Sequence, residues 1–162
     1  MTDPAVKESL AASPLFAEVP PAALDDLGSA CTLQRVAAGT TVLKEGDEGD
    51  AMYVIRKGRV RVEKRTPYQD HFTVTFLEDG AFFGELALLD RDQRSATVVA
   101  ETDAEFVIVQ RDCFLQFGDR HPPAGLAVTR RIARNLAERL RRTNRDVVTL
   151  FSALVHEIEE SL

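Results

Sequence analysis

The most informative segment of this sequence reads Phe82-Phe83-Gly84-Glu85-Leu86-Ala87-Leu88-Leu89, followed five residues later by Arg94-Ser95-Ala96-Thr97-Val98. A glycine before a short apolar turn predicts backbone N–H groups at a helix start, where the positive end of the dipole also attracts anions. Gly84 lets the backbone approach such an anion closely. Arg94 supplies a planar guanidinium that matches two phosphate oxygens, and Ser95 adds a hydroxyl donor beside it. The segment therefore predicts a phosphate site.

The acidic residue in this turn indicates more than a bare phosphate. A carboxylate beside a phosphate is repulsive unless it binds another group, such as a sugar hydroxyl. Glu85 therefore points to a phosphate that is attached to a ribose. The alternative is an ordinary salt bridge between Glu85 and Arg94 on a turn, since exposed ion pairs are common and weak.

Short β-rich runs separated by turns surround this segment, and six of the nine glycines fall between Gly39 and Gly84. The predicted strands are Thr32–Val36, Thr40–Leu43, Met52–Ile55, Val60–Lys64, Phe72–Leu77, Ser95–Ala100 and Phe106–Gln110. Many short strands at this spacing are typical of an antiparallel β-barrel or a double-stranded jelly roll. With helices at both ends of the chain, the predicted class is α+β.

The two ends of the sequence show helical patterns. Pro21 occupies the position of a first helical residue before an apolar run. Asp112 is placed to cap a short helix, and His121-Pro122-Pro123 interrupts the helical pattern. From about Ala124 the sequence predicts one helix to the end.

Composition excludes several classes of protein. The 162 residues carry a net charge of −6, so bulk charge does not favour general nucleic-acid binding. Cys31 and Cys113 lie 82 positions apart, which excludes a CxxC redox motif or zinc knuckle. No apolar run of about 18 residues and no secretory signal is present, so we expect a cytoplasmic protein without a membrane partner. The three histidines are scattered and fit no metal or catalytic motif, so neither a metal nor an enzymatic activity is expected.

The segment around Gly84 and Arg94 resembles the phosphate-binding cassette of the cyclic nucleotide-binding domain family. A second segment, Glu45-Gly46-Asp47-Glu48-Gly49-Asp50-Ala51-Met52-Tyr53-Val54-Ile55-Arg56-Lys57-Gly58-Arg59-Val60, is similar to the turn-rich signature of the same family. The resemblance runs from about Leu15 to Val147. Two motifs in the right order make it specific.

The resemblance implies a role for each residue of the cassette. Glu85 would accept a hydrogen bond from the ribose 2′-hydroxyl, and Arg94 would pair with the exocyclic phosphate oxygens. The implied phosphate and ribose set is Gly84, Glu85, Leu86, Ala87, Arg94, Ser95 and Ala96, with the backbone at Ala87 and Ala96 completing the cradle. Candidates for an apolar wall against the base are Val60, Val62, Val74, Leu77 and Phe83. Core packing is the alternative for each of these five.

The C-terminal helix has an apolar seam. Leu136, Leu140, Thr143, Val147, Leu150 and Leu154 follow alternating steps of four and three residues, which is an a/d heptad pattern. The helix either packs back on its own domain or also forms a homodimer. It resembles the dimer helix of the family's transcription factors, in which the pair that reads Thr143-Asn144 here meets the base; a solvated Asn144 is the alternative.

The same helix carries a basic stretch. Seven arginines against two acidic residues give residues 129–146 a net charge of +5. The arginines fall on several helix faces without interleaved aromatic residues, which favours a solvated face or an acidic partner over a nucleic acid.

These observations predict a stand-alone cAMP sensor that signals through movement of its C-terminal helix to an effector protein. Ser95, in a position where cGMP sites of the family often have threonine, makes cAMP the first choice of ligand and cGMP the second. The expected parts are an N-terminal extension (1–14), the nucleotide-binding domain (15–121) and a lid or dimerisation helix (122–162). The alternatives are an interaction module that binds no ligand, a remnant of a DNA-binding regulator without its helix-turn-helix domain, and a piece of a longer protein.

Overall fold

The computed structural model describes residues 2–161, which fall into two compact units that meet between Val128 and Thr129. The helices of the first unit are α1 (Pro4–Ala12), α2 (Pro21–Ser29) and α3 (Arg111–Arg120), with a short 3-10 helix at Pro14–Phe16. Helix α4 (Pro122–Glu160) begins in the first unit and continues through the second. No helix between residues 2 and 161 combines the length and the apolar composition needed to cross a bilayer.

Eight antiparallel strands form two four-stranded sheets in the first unit. The strands are β1 (Thr32–Val36), β2 (Thr41–Leu43), β3 (Ala51–Lys57), β4 (Val60–Lys64), β5 (Phe72–Leu77), β6 (Phe82–Phe83), β7 (Thr97–Ala100) and β8 (Ala104–Gln110). One sheet has the order β1-β8-β3-β6 and the other has the order β2-β7-β4-β5. The α+β class is confirmed, and each of the seven predicted strands is present, with shifted ends in four of them.

Of the two arrangements predicted, an antiparallel β-barrel or a double-stranded jelly roll, the barrel is wrong, because the two sheets are not closed. Among residues 2–161, no strand of one sheet has a strand of the other as its ladder neighbour. Two of the four edge strands, β2 and β6, have only three and two residues. Strands this short cannot extend a ladder to the opposite sheet, so the sheets face each other without joining.

The core lies between the two sheets because both contribute inward-facing side chains. The buried residues of the cluster between the sheets are Leu43, Ile55, Val60, Phe83, Val98, Ala100, Ala104 and Phe106, which come from six different strands. Three aromatic rings meet on the first sheet. Phe83 stacks on Tyr53 with ring centroids 5.1 Å apart, and the Phe106 ring stands edge-on to Phe83 at 5.5 Å. Each such contact is worth roughly 0.5–1.5 kcal/mol beyond the buried area.

Helix ends follow local sequence signals in two of three predicted places. Helix α2 begins at Pro21 and the chain breaks between α3 and α4 at His121, as predicted. The predicted cap at Asp112 is wrong. Gln110 is the N-cap of α3, and Asp112 already lies inside its first turn, where a side chain can no longer serve as the cap.

The turn between α3 and α4 is built around two glycines. A Cβ added to Gly125 in the first turn of α4 would lie 2.8 Å from the Cα of Gly118 in α3. The two helices therefore touch backbone to backbone at this point, which any side chain at residue 125 would prevent.

We expect Phe106→Ala to lower the free energy of unfolding by about 3–5 kcal/mol, because it removes a fully buried ring and leaves a cavity. Phe72→Ala is the matched control, since this phenylalanine is 49% exposed, and we expect it to cost about 1 kcal/mol or less. Urea denaturation measures both values. Equal losses in the two variants would contradict the placement of the core.

Candidate functional site

The turn that follows β6 requires glycine for two reasons. Gly84 has φ +73°, in the left-handed region that residues with a side chain rarely adopt. A Cβ at this position would also lie 2.8 Å from Nη1 of Arg94 and 3.2 Å from the carbonyl oxygen of Ala51. The close approach of three chain segments therefore depends on this glycine.

The turn itself is a single 3-10 helix, Glu85–Leu88, and is hereafter called the cassette turn. A short turn that starts a helix was predicted after Gly84, and Gly84 is the N-cap of this 3-10 helix. Because four residues form only one turn, the turn carries little dipole. The N–H of Ala87 donates to the carbonyl of Gly84 at 3.2 Å. One of the predicted phosphate donors is therefore engaged within the turn.

The guanidinium of Arg94 bridges two chain segments. Its Nη1 donates to the carbonyl of Gly84 at 3.2 Å, and its Nη2 donates to the carbonyl of Ala51 at 2.7 Å. The side chain lies flat against Gly49, where an added Cβ would overlap the Nε and Cζ atoms. Both segments meet this cation through backbone atoms, so the site places a half-buried positive charge among carbonyl oxygens.

The backbone of Arg94 is fixed as well. Its N–H donates to the carbonyl of Asp47 at 2.7 Å, and its carbonyl accepts from the N–H of Gly46 at 2.9 Å. These bonds hold residue 94 against the β2–β3 loop, and strand β7 begins only at Thr97. The predicted strand start at Ser95 is therefore wrong, because residue 94 pairs with that loop and Ser95 and Ala96 lead into β7 from it.

Several charges act on the Arg94 guanidinium. Burial lowers the pKa of Arg94 from its ordinary value and the neighbouring Arg111 lowers it further, while Tyr53, Asp50 and Glu85 act in the opposite direction. A cation that is partly removed from water is stabilised by an anion more than an exposed one is. The site is thus suited to a negatively charged ligand.

Tyr53 shares this environment. Burial raises the pKa of the Tyr53 phenol, the charge of Arg94 lowers it, and Asp50 raises it again. The side chain of Glu85, the first residue of the cassette turn, is also buried, with 3% of its surface exposed. The Glu85 carboxylate is therefore largely removed from water and is not an ordinary surface charge.

The structure places the remaining predicted residues in three environments. Ser95 is exposed, and Leu86 and Ala96 are half-buried. Of the predicted base wall, Val60 and Phe83 belong to the core, Val62 and Leu77 pack against it, and Val74 is 52% exposed. Thr143 and Asn144 are exposed on α4 in the second unit.

Sequence reasoning missed three participants. The carbonyls of Gly49 and Ala51 bind arginine side chains, and Arg111 from α3 is one of those arginines. Gly49 and Ala51 lie inside the second segment that resembled the family, which pointed to the loop but not to its role. Nothing in the sequence singled out Arg111.

Between residues 2 and 161, no three His, Cys, Asp or Glu side chains are grouped in a way that could hold an ion.

The chain is similar to known proteins over most of its length. The family model described as the cyclic nucleotide-binding domain matches residues 33–121, more than half of the chain. The chain is 30% identical, over 88% of its length, to the CRP-like cAMP-activated global transcriptional regulator of Mycobacterium tuberculosis, of which it covers 62%. It is 34% identical over the same share to Glutaminase 1 of Bradyrhizobium diazoefficiens, of which it covers 22%.

A solved structure supports the same grouping. The Catabolite Activator Protein of Thermus thermophilus superposes with a TM-score of 0.76 at 32% identity, over 85% of this chain and 63% of that one. The chain thus spans less than two thirds of the length of each of these three relatives.

The pKa of the Tyr53 phenol reports the charge of Arg94 beside it. In a Tyr68→Phe background, which leaves Tyr53 as the sole tyrosine, we expect Arg94→Ala to raise the pKa of the Tyr53 phenol, because a stabilising cation is lost. Ultraviolet absorbance of the phenolate along a pH titration measures this change, with circular dichroism as the check on folding. Arg91→Ala, at an exposed arginine three residues away, should leave the pKa unchanged. A fall on removal of Arg94 would contradict the arrangement.

Proposed function

Because the chain belongs to the cyclic nucleotide-binding domain family, we propose that it is a regulatory protein that binds cAMP and signals through its C-terminal helix. The observation that carries this proposal is the half-buried Arg94 guanidinium, seated between the cassette turn and the β2–β3 loop. The proposed function is not catalytic, because the nucleotide would be bound and released unchanged.

The donor set fits a cyclic nucleotide monophosphate. Arg94 can offer its guanidinium to the exocyclic phosphate oxygens, because that group holds five N–H donors in one plane and only two of its nitrogens are engaged by carbonyls. Glu85 would accept from the ribose 2′-hydroxyl. The hydroxyl of Ser95 and the backbone at Ala96 would complete the phosphate cradle, and the N–H of Ala87 would join them on leaving the carbonyl of Gly84.

The base would lie beyond the phosphate against apolar side chains. We propose Val62, Leu77 and Val74 as its wall, together with the buried Val60 and Phe83 behind them. An asparagine offers both a donor and an acceptor to the edge of adenine, so Asn144, with Thr143 before it, is the proposed contact from α4.

The choice of cAMP over cGMP rests on two observations. Ser95 stands where threonine often marks the cGMP sites of this family, and the mycobacterial relative is described as cAMP-activated. The second ligand to test is cGMP, since serine keeps the hydroxyl that threonine would provide.

The C-terminal helix would report the ligand to a partner. The seam residues Leu140, Val147, Leu150 and Leu154 are each more than half exposed, so this face of α4 has apolar surface to bury. A ligand can shift such a helix only if it binds two positions of the helix with unequal affinity. We propose that cAMP does so, and that the face then engages a second copy or an effector protein.

A second candidate is an interaction module without a ligand. The exposed apolar face of α4 favours it, because that face would need a partner whether or not a nucleotide binds. Calorimetry distinguishes the two candidates, because only the first predicts heat of binding when a cyclic nucleotide is added.

We expect the nucleotide-stripped protein to bind cAMP with micromolar or tighter affinity and cGMP more weakly. Arg94→Ala should cost about 2–5 kcal/mol, or about 30-fold to several thousand-fold in Kd, because a desolvated phosphate loses its charged partner. Isothermal titration calorimetry measures each affinity. Arg91→Ala removes an exposed arginine three residues away and should bind cAMP as the parent does.

Two outcomes would contradict the proposal. If folded, ligand-free parent protein gives no heat with either nucleotide, the interaction module takes its place. If Arg94→Ala binds as tightly as the parent, the cassette has been assigned to the wrong residues.

We expect cAMP to change hydrogen exchange across residues 129–158, because the proposed signal is a movement of that part of α4. Mass spectrometry of the protein with saturating cAMP and without it measures the change. The parent and Arg94→Ala form the matched pair, since only the parent should respond. Identical exchange of the parent in both conditions would exclude the helix as the signalling element.

A further inference from the structure

The exposed part of α4 has two oppositely charged ends. Every residue from 138 to 160 is exposed. Residues 129–146 carry a net charge of +5, whereas residues 147–160 contain three glutamates and no lysine or arginine, a net charge of −3. Acidic side chains at the C-terminal end of a helix are unfavourable to its own dipole. The stability of the isolated helix therefore does not explain why the acidic residues lie there.

The apolar seam runs through both charged ends. Its exposed members are spaced at alternating steps of three and four residues from Leu140 to Leu154, and the next position of the same pattern is Glu157. Phe151 and Ile158 lie directly beside the seam and are 66% and 53% exposed. The seam is thus a continuous apolar face that ends on an acidic residue.

The charges distinguish the two ways in which a second copy of α4 could lie along this face. In a parallel pair each seam residue meets its own counterpart, so Glu157 would face Glu157 and the two basic stretches would lie side by side. Like charges at such positions repel. In an antiparallel pair the basic end of each helix lies against the acidic end of the other, and the two helix dipoles also oppose each other.

The antiparallel register also matches apolar residues to one another. When Val147 of one copy lies opposite Leu150 of the other, Thr143 meets Leu154, and Leu140 meets the aliphatic stem of Glu157. The overlap covers about 20 residues, or about 30 Å of helix. Every seam residue from 140 to 157 thereby has a partner in the second copy.

The positions that flank the seam give the clearest charge pair. In this register Arg139 of each copy lies opposite Glu160 of the other, so the pair occurs twice. Within its own chain, the Glu160 carboxylate contacts the His156 ring at 3.3 Å, and both side chains are more than 70% exposed. An exposed contact of this kind is weak, so Glu160 can exchange it for a guanidinium.

We propose that the partner of the exposed face of α4 is a second copy of this chain, paired antiparallel along the seam, with the basic stretch of each copy bound to the acidic end of the other. The inference deepens the proposed function, because it names the partner of the signalling face and its orientation. It rests on that function only for the role of the face in signalling.

The first test measures the dimer dissociation constant of the nucleotide-free protein by sedimentation equilibrium. Arg139→Glu and Glu160→Arg should each weaken the dimer about tenfold, because each replaces two opposite-charge pairs with two like-charge pairs. The two changes in one chain restore opposite charges and should return the constant to within about threefold of the parent. The matched controls are Arg145→Glu and Glu159→Arg, at positions that face away from the seam, and each should change the constant by no more than about twofold.

The second test determines the orientation by disulfide trapping. In a Cys31→Ser, Cys113→Ser background, Thr143→Cys and Leu154→Cys are made in separate chains, and one chain carries an affinity tag. Mild oxidation should link the two kinds of chain when they are mixed, because residue 143 of one copy meets residue 154 of the other. Neither chain should form a covalent dimer with its own kind. Circular dichroism checks that each variant keeps the helix content of the parent.

Three outcomes would overturn the inference. A covalent dimer of Thr143→Cys alone, formed as readily as the mixed one, would mean that the copies lie parallel. A double charge reversal that does not recover the affinity would show that residues 139 and 160 do not meet. A monomer at every concentration would leave the face to an effector protein. Because every measurement is made without nucleotide, none of these results bears on cAMP binding, which calorimetry of the parent decides separately.

Discussion

The site depends on a guanidinium that is satisfied by the backbone of the protein. Arg94 donates to the carbonyls of Gly84 and Ala51 and lies against the bare Cα of Gly49. Neither contact would survive a side chain at residue 49 or 84, because the added Cβ would occupy the space of the arginine. The two glycines and the arginine therefore form one unit, although the two glycines lie 35 positions apart in the sequence. The surrounding sheets must therefore bring the β2–β3 loop and the cassette turn close together.

The first sheet provides that approach. Strand β3 begins at Ala51 and pairs with β6, with Tyr53 opposite Phe83, so the residue before β3 and the residue after β6 come to the same place. The stacked rings of Tyr53 and Phe83, with the buried Phe106 beside them, fix this register from the core side. A hydrophobic contact between three aromatic rings thus sets the position of a polar site one residue away. Sheet packing and the geometry of the candidate site are therefore linked.

The sequence alone could predict the features that depend on residue type. Strands β1, β4 and β5 begin and end where alternation and turn residues predict, and Arg94 and Gly84 stand out by their chemistry. The sequence did not predict strand β6, because two residues are too few to show alternation. The strand is recognised only by its pairing with β3. The carbonyl acceptors of Gly49, Ala51 and Ala87 escaped because every residue has a carbonyl, and only the fold selects which ones face a cation. Arg111 was missed for the same reason, since its importance lies in what it binds.

The glycine pair between α3 and α4 has a mechanical consequence. Helices that cross through interlocking side chains resist rotation, because ridges must climb out of grooves before the angle can change. At Gly118 and Gly125 no side chains interlock, and the two helices meet through their backbones. The crossing can act as a pivot whose angle is set by contacts elsewhere and not by the joint. Substitutions far from this point can then change the orientation of the first turn of α4, provided that residue 125 remains glycine, whereas a Cβ at residue 118 would meet no neighbour within 4 Å.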